Sequence, residues 1–447
     1  MKKQTLFIFS LTTLGLVILL IPYITGMKAE EQFSFFTKQL PDNIQFITHD
    51  YQRGWLGSTA DSTLSIYQDA NTPAQTIQLQ QEMDHGFLPL KPAIIYTTIR
   101  TTLPTASTGN QITGETSPLR IRTELQANGD VSNTLNIAQS HLQQQENTVQ
   151  WQDLTGEFNL TQSGHLATTT LHIPQLKSQF PFGEFTVHDG LIQANIEENI
   201  ANLLIGQGNL HIAQIRFDSP TGLTASLSNL HINTYNIPSE SFLTLRIVAT
   251  AQELHIIDKT YRDIRIVMEF NQLHQPSLQN IVLQLNELRQ LHPTSQLQLN
   301  FWLLGILMRD GMTLLNHHPS FAITELSLNS DEGKVNGTLS VQVDTVPSQP
   351  FFNLQALQNS IICEVTLETP KTLLNQWLKA ILFQPDLSSQ AAAQTIMNTR
   401  LQQLETQGIL LSSADNQVYK TALLWKNGKL MANGQSIVYP EIRVQLQ

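Results

Sequence analysis

Residues 335–343 read VNGTLSVQV and show the clearest alternation of apolar and polar side chains in this chain. Successive side chains of an extended strand point to opposite faces, so the pattern predicts a strand with one buried and one solvated face. Residues 119–125 and 264–270 alternate in the same way. One-sided strands of this kind are typical of antiparallel sheets.

Short turn signals punctuate these strands. Asn128-Gly129, Asn427-Gly428 and Asn433-Gly434 are pairs in which both residues tolerate a positive φ. Such pairs favour two-residue hairpin turns between antiparallel strands. The sequence therefore predicts local hairpins, including a closing hairpin near the end of the chain.

A second pattern is apolar throughout. Leu6 to Tyr23 carries no charge, and Lys2 and Lys3 precede it. This length suits a membrane span, and the lysines orient the following chain away from the cytoplasm. A cleaved signal peptide is the alternative, but residues 24–28 offer no Ala-x-Ala site. We predict a single-pass inner-membrane protein with the bulk of the chain in the periplasm.

The predicted fold class is α+β, mainly β with helices. An N-terminal transmembrane helix precedes a large curved antiparallel sheet with helices packed against it. Four regions are expected: an anchor at 1–26, a β region with an entry helix at 27–270, a helical segment at 271–320, and a β region with two helices and the closing hairpin at 321–447. The helical segment contains an apolar run at 301–308 that must be buried or lie against lipid.

Composition excludes several functions. The net charge of −11 and the lack of a basic run disfavour nucleic acid as a partner. Cys363 is the only cysteine, so no internal disulfide can form. No phosphate-cradling loop, dinucleotide fingerprint or metalloprotease motif occurs, and we predict no cofactor and no metal. Four Leu-His-Ile triplets at 171, 210, 230 and 254 are interpreted as polar positions of strands rather than a metal-binding ladder.

Three motifs resemble those of a known family. They are YQRGWLGS at 51–58, DHGFLPL at 84–90 and LLWKNGKLMANGQ at 423–435. In this order they resemble the YdgA-like family of Gram-negative bacteria, and the resemblance extends from end to end. It implies a membrane-anchored, envelope-facing body of unknown function. The chain has Phe87 where that family usually has proline after the His-Gly pair.

These motifs contain the candidate binding residues Arg53, Trp55, Asp84 and His85. Arg53 and Trp55 suit a cationic and aromatic ligand contact, but a strand with a glycine bulge, Trp55 in the core and Arg53 on a strand-end carbonyl explains the same residues. Asp84 and His85 suit an acid/base pair, yet adjacent strand residues face opposite sides. A structural role is favoured for both pairs, and no catalytic residue is predicted.

Two functions follow from the sequence. The favoured one is a non-enzymatic envelope protein whose apolar sheet face binds a lipid or an envelope protein partner, because a one-sided sheet must be covered. The alternative is a membrane-tethered envelope hydrolase that uses His85. The expected partners are the inner membrane and such a lipid or protein; self-association into a homo-oligomer is left open.

Overall fold

A computed structural model of the protein describes residue 27 and residues 44–66, 75–85, 93–100, 119–126, 128–144, 146–162, 165–200, 203–290, 296–344, 358–382, 390–415 and 417–437. Strand accounts for 67% of the structure and helix for 17%. The chain divides into two compact units. Unit 1 comprises residues 1–199, 210–222 and 289–292, and unit 2 comprises residues 200–209, 223–288 and 293–447.

Among the described residues unit 1 is built mainly from strands, and its helical residues are Met27 and residues 289–290. Its strands, of which β12 is shared with unit 2, are β1 (Ile44–Arg53), β2 (Gly57–Ile66), β3 (Gln75–Asp84), β4 (Ala93–Arg100), β5 (Leu119–Leu125), β6 (Val131–Ile137), β7 (Ser140–Gln144), β8 (Asn147–Gln152), β9 (Leu154–Leu160), β10 (Leu166–Phe180), β11 (Gly183–Ile200) and β12 (Leu203–Asp218).

Neighbouring strands of unit 1 pair antiparallel. β1 to β6 pair in chain order, β6 pairs with β9, and β9 pairs with β10. The long β10 pairs along one edge with β9 and then β8, and along the other with β11. β7 completes this part of the sheet beside β8. These short connections explain why local hairpin signals were readable in the sequence.

Unit 2 contains strands of two to sixteen residues and the described helices of eight or more residues. Its strands are β13 (Thr224–Ser239), β14 (Phe242–Ile256), β15 (Lys259–His274), β16 (Ser320–Ser330), β17 (Gly333–Val343), β18 (Ile361–Pro370), β19 (Leu411–Ser412), β20 (Val418–Lys426), β21 (Lys429–Ala432) and β22 (Gln435–Ser436). Its helices are α1 (Gln275–Gln290), α2 (Gln296–Ile306), a π-helical turn (Leu307–Gly311), α3 (Met312–Leu315), α4 (Lys371–Leu382) and α5 (Gln390–Thr406).

The strands of unit 2 also pair antiparallel. β13 to β18 follow one another in chain order, and β20 pairs with β18, β19 and β21. β15 and β16 are neighbours although residues 275–319 separate them in the sequence. We call residues 275–319, which contain α1, α2, the π-helical turn and α3, the helical excursion.

The strand predicted at 335–343 is confirmed as the body of β17. The turn predicted at Asn427-Gly428 is also confirmed: the two residues have φ of 52° and 70° and join β20 to β21. Both predictions rest on local geometry, which the wider fold did not override.

A small hydrophobic core lies under α4 and α5. Met397 and Leu401 on α5 pack with Leu410 and with Tyr419 on β20, and all of these are buried. Half-buried leucines from both helices surround them: Leu374, Leu378 and Leu404. These two helices therefore cover the sheet of unit 2 near the start of β20.

The predicted α+β fold class is wrong. The structure is predominantly a large antiparallel β structure, and helix makes up only 17% of it. Alternation of apolar and polar side chains continues through most of the described chain, so strands occupy the length that an α+β fold would divide with helices. The helices of unit 2 are interruptions of this β structure.

The predicted transmembrane helix needs correction as well. None of the described helices combines the length and the apolar composition that a bilayer crossing requires. The longest described helix, α5, has 17 residues and is polar along much of its length, whereas a span needs about 20 apolar residues. This finding contradicts the transmembrane helix, the signal anchor and the single-pass inner-membrane location with a periplasmic body. The run at 6–23 and most of the predicted entry helix lie outside the described residues.

Candidate functional site

The two predicted binding motifs meet at one end of β1, β2 and β3. Residues 54–56 form the turn between β1 and β2, closed by a hydrogen bond from the Gly54 amide to the Gly57 carbonyl oxygen of 2.8 Å. The His85 amide, just beyond β3, donates to the Leu56 carbonyl oxygen at 2.9 Å. The turn and the Asp84-His85 pair therefore form one structural corner, here called the clasp corner (residues 53–58, 84 and 85).

The imidazole of His85 holds this corner together from inside. Its Nε2 lies 2.7 Å from Oγ of Ser58, and its Nδ1 lies 3.2 Å from the Trp55 carbonyl oxygen. A carbonyl only accepts, so Nδ1 carries a proton and donates to it; in a neutral imidazole Nε2 then accepts from the Ser58 hydroxyl. His85 is 1% exposed and Ser58 is 5% exposed. Both ring nitrogens of His85 therefore have a hydrogen-bond partner inside the corner.

A surface cleft of about 530 Å³ lies beside the clasp corner. The strand registers pair Gln52 with Thr59, Thr59 with Glu82, and Glu82 with Tyr96, so these side chains share one face, and all of them line the cleft. Asp84 follows Glu82 at the same strand parity and also lines it. Ser58 borders the cleft, but its hydroxyl is turned to His85 in the interior.

The predicted site residues therefore separate onto two faces. Asp84 lies on the cleft side and His85 on the buried side, because adjacent strand residues point in opposite directions. Trp55 and Leu56 at the turn are 50% and 57% exposed, and Arg53 is exposed beside them. The arrangement provides an exposed turn on a buried support; it does not orient His85 toward a substrate. The sequence did not single out Ser58, although it ends the first motif.

A second candidate site is one face of the sheet in unit 2. Residues paired directly across neighbouring strands share a face, and the registers bring apolar side chains into line from β14 to β20. We call this set the apolar face: Leu245, Ile247, Ala249, Ala251, Ile264, Ile266, Met268, Phe270, Phe321, Ile323, Leu326, Leu328, Val335, Leu339, Val341, Cys363, Val365, Leu367, Leu423 and Trp425.

The opposite face of the same strands is largely polar, although the pair Val248 and Val267 lies on it and Val267 is buried. Arg246 pairs with Glu269 at 3.4 Å across β14 and β15, and Thr338 and Thr366 share a hydrogen bond of 2.6 Å across β17 and β18. Two further ion pairs lie on this face: Arg265 with Glu325 at 2.8 Å and Lys420 with Glu368 at 3.0 Å. Exposed ion pairs add little stability, and their presence marks this face as the solvated one.

The burial of the apolar face shows that it is not a filled core. Ala251 and Val335 are buried, at 6% and 1% exposure, whereas the other side chains of the set are only half-buried. A side chain enclosed between two packed layers normally loses nearly all its exposure. Large side chains such as Phe270 and Phe321, whose ring centroids lie 4.7 Å apart, therefore keep part of their surface uncovered.

The remaining candidate groups have ordinary structural partners. His172 lies 3.0 Å from Asp189, and Nδ1 of His255 lies 3.1 Å from the Thr260 hydroxyl. In the part of the chain that the structure describes, no group of three or more His, Cys, Asp or Glu side chains could hold a metal ion. Cys363 is half-buried on the apolar face, and burial, followed by the neighbouring charge of Glu364, raises the pKa of its thiol.

Comparison with known proteins assigns a family. A family model described as "Bacterial protein of unknown function (DUF945)" matches residues 1–440. No curated protein and no solved structure matches the chain.

Proposed function

The chain belongs to the bacterial family DUF945, whose function is unknown, and we propose that it is a non-enzymatic protein that holds a lipid acyl chain against its apolar face. The observation that carries this proposal is the half-burial of a continuous set of large apolar side chains from β14 to β20. Soluble proteins rarely leave an apolar patch of this kind without a ligand or a partner.

The chemistry of the apolar face favours an acyl chain over a protein segment. Ligand sites for polar molecules place a few hydrogen-bonding groups among apolar ones, which orient the ligand. The apolar face consists of aliphatic and aromatic side chains with one thiol, and Thr421, which pairs with Leu367, adds a buried hydroxyl at its edge. The backbone groups of its strands pair with each other, so a peptide cannot add there as a further strand. A hydrocarbon chain needs neither feature.

The expected driving force is ordinary apolar burial. Each methylene moved from water onto such a surface contributes about 0.8 kcal/mol when fully buried. A face that is open on one side covers only part of the chain, so the affinity falls well below that sum. Micromolar binding of a long-chain fatty acid is therefore a reasonable expectation.

A matched pair of variants tests the proposal. Ala249 lies on the apolar face opposite Ile266, and Ala422 lies on the solvated face of β20 opposite Thr366. Ala249→Trp places an indole on the surface that the chain would occupy, whereas Ala422→Trp places the same group on the other side. We expect cis-parinaric acid, followed by its fluorescence, to bind about tenfold more weakly to Ala249→Trp and within about twofold of wild type to Ala422→Trp.

Two outcomes would contradict the proposal. One is no saturable binding of cis-parinaric acid to the wild-type chain. The other is equal binding by both tryptophan variants, after circular dichroism has shown that both retain the strand signal. If a polypeptide instead co-purifies in fixed ratio and Ala249→Trp displaces it, a protein partner occupies the apolar face.

The alternative function, a hydrolase that uses His85, is not favoured by the geometry. A general base must reach the proton it removes, and His85 is 1% exposed with both nitrogens hydrogen-bonded inside the clasp corner. We also propose that the protein acts in the Gram-negative envelope, as its resemblance to YdgA-like proteins implies. An envelope would supply the acyl chains.

A further inference from the structure

Four consecutive large apolar residues of α2 are exposed. Phe301, Trp302, Leu303 and Leu304 are 64%, 46%, 40% and 44% exposed. They belong to the helical excursion, which leaves the sheet at the end of β15 and returns at the start of β16. Exposed large apolar side chains are ordinary when scattered, but a contiguous group marks an interaction surface.

Two contacts show the relative direction of the outgoing arm of the helical excursion (α1) and its returning arm (α2, the π-helical turn and α3). Near the sheet, the rings of His274 and His317 stack with centroids 3.9 Å apart. Further along, Nε2 of Gln284 on α1 donates to Oδ2 of Asp310 at 2.6 Å. Residues later in the outgoing arm thus meet residues earlier in the returning arm, so the arms are antiparallel. Residues 301–304 precede Asp310 by six to nine positions in the returning arm. At about 1.5 Å per helical residue, they therefore lie about 9–14 Å further from the sheet than Asp310 does.

The direction of these side chains indicates what covers them. Successive helical residues point about 100° apart, so residues 301–304 surround most of the circumference of α2. A groove on a protein partner covers one side of a helix. A fluid apolar phase covers every side, and Trp and Phe are residues that favour the boundary between headgroups and acyl chains.

We propose that residues 301–304 insert into the surface of a lipid bilayer and so dock the helical excursion on it. Phe270 and Phe321, at the end of the apolar face, lie on β15 and β16 within five positions of the helical excursion. Docking therefore turns this end of the apolar face toward the lipid surface from which an acyl chain would come, with about 20–24 Å of helix between His317 and residues 301–304. In this respect the inference rests on the proposed function.

The experiment uses Trp302 as its own reporter. The full chain is mixed with phosphatidylcholine vesicles containing acyl chains brominated at carbons 6 and 7, since bromine quenches tryptophan only at short range. We expect quenching of the wild-type chain and clearly less quenching of Trp302→Phe, which keeps the apolar surface. The difference reports Trp302 alone, so lipid contacts made elsewhere in the chain do not contribute to it.

A second variant tests the docking itself. Replacement of residues 301–304 by serine should weaken vesicle binding by about tenfold or more, because the inserted apolar surface is lost. The control replaces Leu223 and Leu411, which are 41% and 48% exposed elsewhere in unit 2, by serine and should bind as wild type. Both variants change exposed positions, so the fold should persist and can be checked by circular dichroism.

Several results would overturn the inference. Equal quenching of wild type and Trp302→Phe would show that Trp302 does not enter lipid. Equal vesicle binding by the two serine variants would show that residues 301–304 do not dock the chain. Self-association of the wild-type chain without vesicles, abolished by serine at 301–304, would assign these residues to contact with a second copy.

Failure of docking and failure of acyl-chain binding are separable. The serine variant at 301–304 should still bind monomeric cis-parinaric acid, and Ala249→Trp should still be quenched more than the double variant with Trp302→Phe. If fatty-acid binding fails while Trp302 is quenched, the proposed function is wrong and the docking surface stands.

Discussion

Nε2 of His85 lies 2.7 Å from Oγ of Ser58, a residue that precedes it by 27 positions, and both side chains are buried. The hydrogen bond joins the end of β3 to the start of β2 behind the exposed turn that carries Trp55 and Leu56. The motif at Asp84-His85, for which the sequence favours a structural role over an acid/base pair, thus supports the corner through His85. His85 fixes the backbone that presents the exposed residues.

Ser58→Ala should destabilise unit 1, because the variant leaves Nε2 of His85 buried without a partner. An unsatisfied buried group of this kind costs about 1–3 kcal/mol. Thermal melting gives the loss of stability, and hydrogen–deuterium exchange should show faster exchange at residues 53–58. Thr63→Val is the matched control, since it removes a hydroxyl from His49 across an exposed contact of 2.7 Å. If Thr63→Val lost as much stability as Ser58→Ala, burial of the His85–Ser58 hydrogen bond would not explain the effect.

Gly57→Ala should distort the clasp corner. A Cβ at this position would lie 2.6 Å from the Met83 carbonyl oxygen, and backbone cannot easily move away. We expect a loss of about 1–3 kcal/mol in the free energy of unfolding. Gly305→Ala on α2 is the comparison, because nothing lies within 4 Å of its Cβ and alanine favours helix by up to about 1 kcal/mol. The prediction requires that Gly57→Ala lowers the free energy of unfolding and that Gly305→Ala raises it.

The pairing of Glu332 predicts acid sensitivity. Lys259 donates to its carboxylate at 3.0 Å and Gln376 at 2.9 Å, and these hydrogen bonds lower the pKa of Glu332 from 4.5 to about 2. The pKa of Glu332 is lower in the folded chain than in the unfolded chain. The ionised Glu332 therefore makes its full contribution to the free energy of unfolding above pH 4.5, and this contribution is lost as the pH falls toward 2.

The measurement is the melting temperature between pH 2 and pH 6. Glu332→Gln should lose less stability over the acid range than the wild type, and Lys259→Met should flatten the curve in the same way because it removes the main cause of the lowered pKa. An unchanged acid slope in both variants would show that this ion pair does not control the transition.

Cys363 reports occupancy of the apolar face. Burial raises the pKa of its thiol above the ordinary 9.0, so little thiolate is present near neutral pH. Reaction with a disulfide reagent should be slow at pH 7.5 and faster above pH 9. Oleate should slow it further, because Cys363 lies between Val341 and Trp425 on the apolar face. The unfolded chain gives the unprotected rate; no effect of oleate would count against binding at this face.

The apolar run at 6–23 predicts a transmembrane helix and, together with the strands, an α+β fold. The described structure is predominantly β instead, and none of its helices is able to span a membrane. The composition of a segment predicts its solvent preference, but it does not set the proportion of helix and strand in the rest of the chain.

The sequence by itself determined the local structure: residues 335–343 form a strand, and Asn427-Gly428 forms a hairpin turn. Each depends only on the two-residue repeat of an extended backbone or on residues that tolerate positive φ. The same repeat separates Asp84 from His85. Only the tertiary structure decided that Ser58 meets His85 and that apolar sides of β14 to β20 align into one half-buried face. Those outcomes depend on which strands pair and in which register, and pairing across tens of residues is set by the energy of the whole sheet rather than by any local pattern.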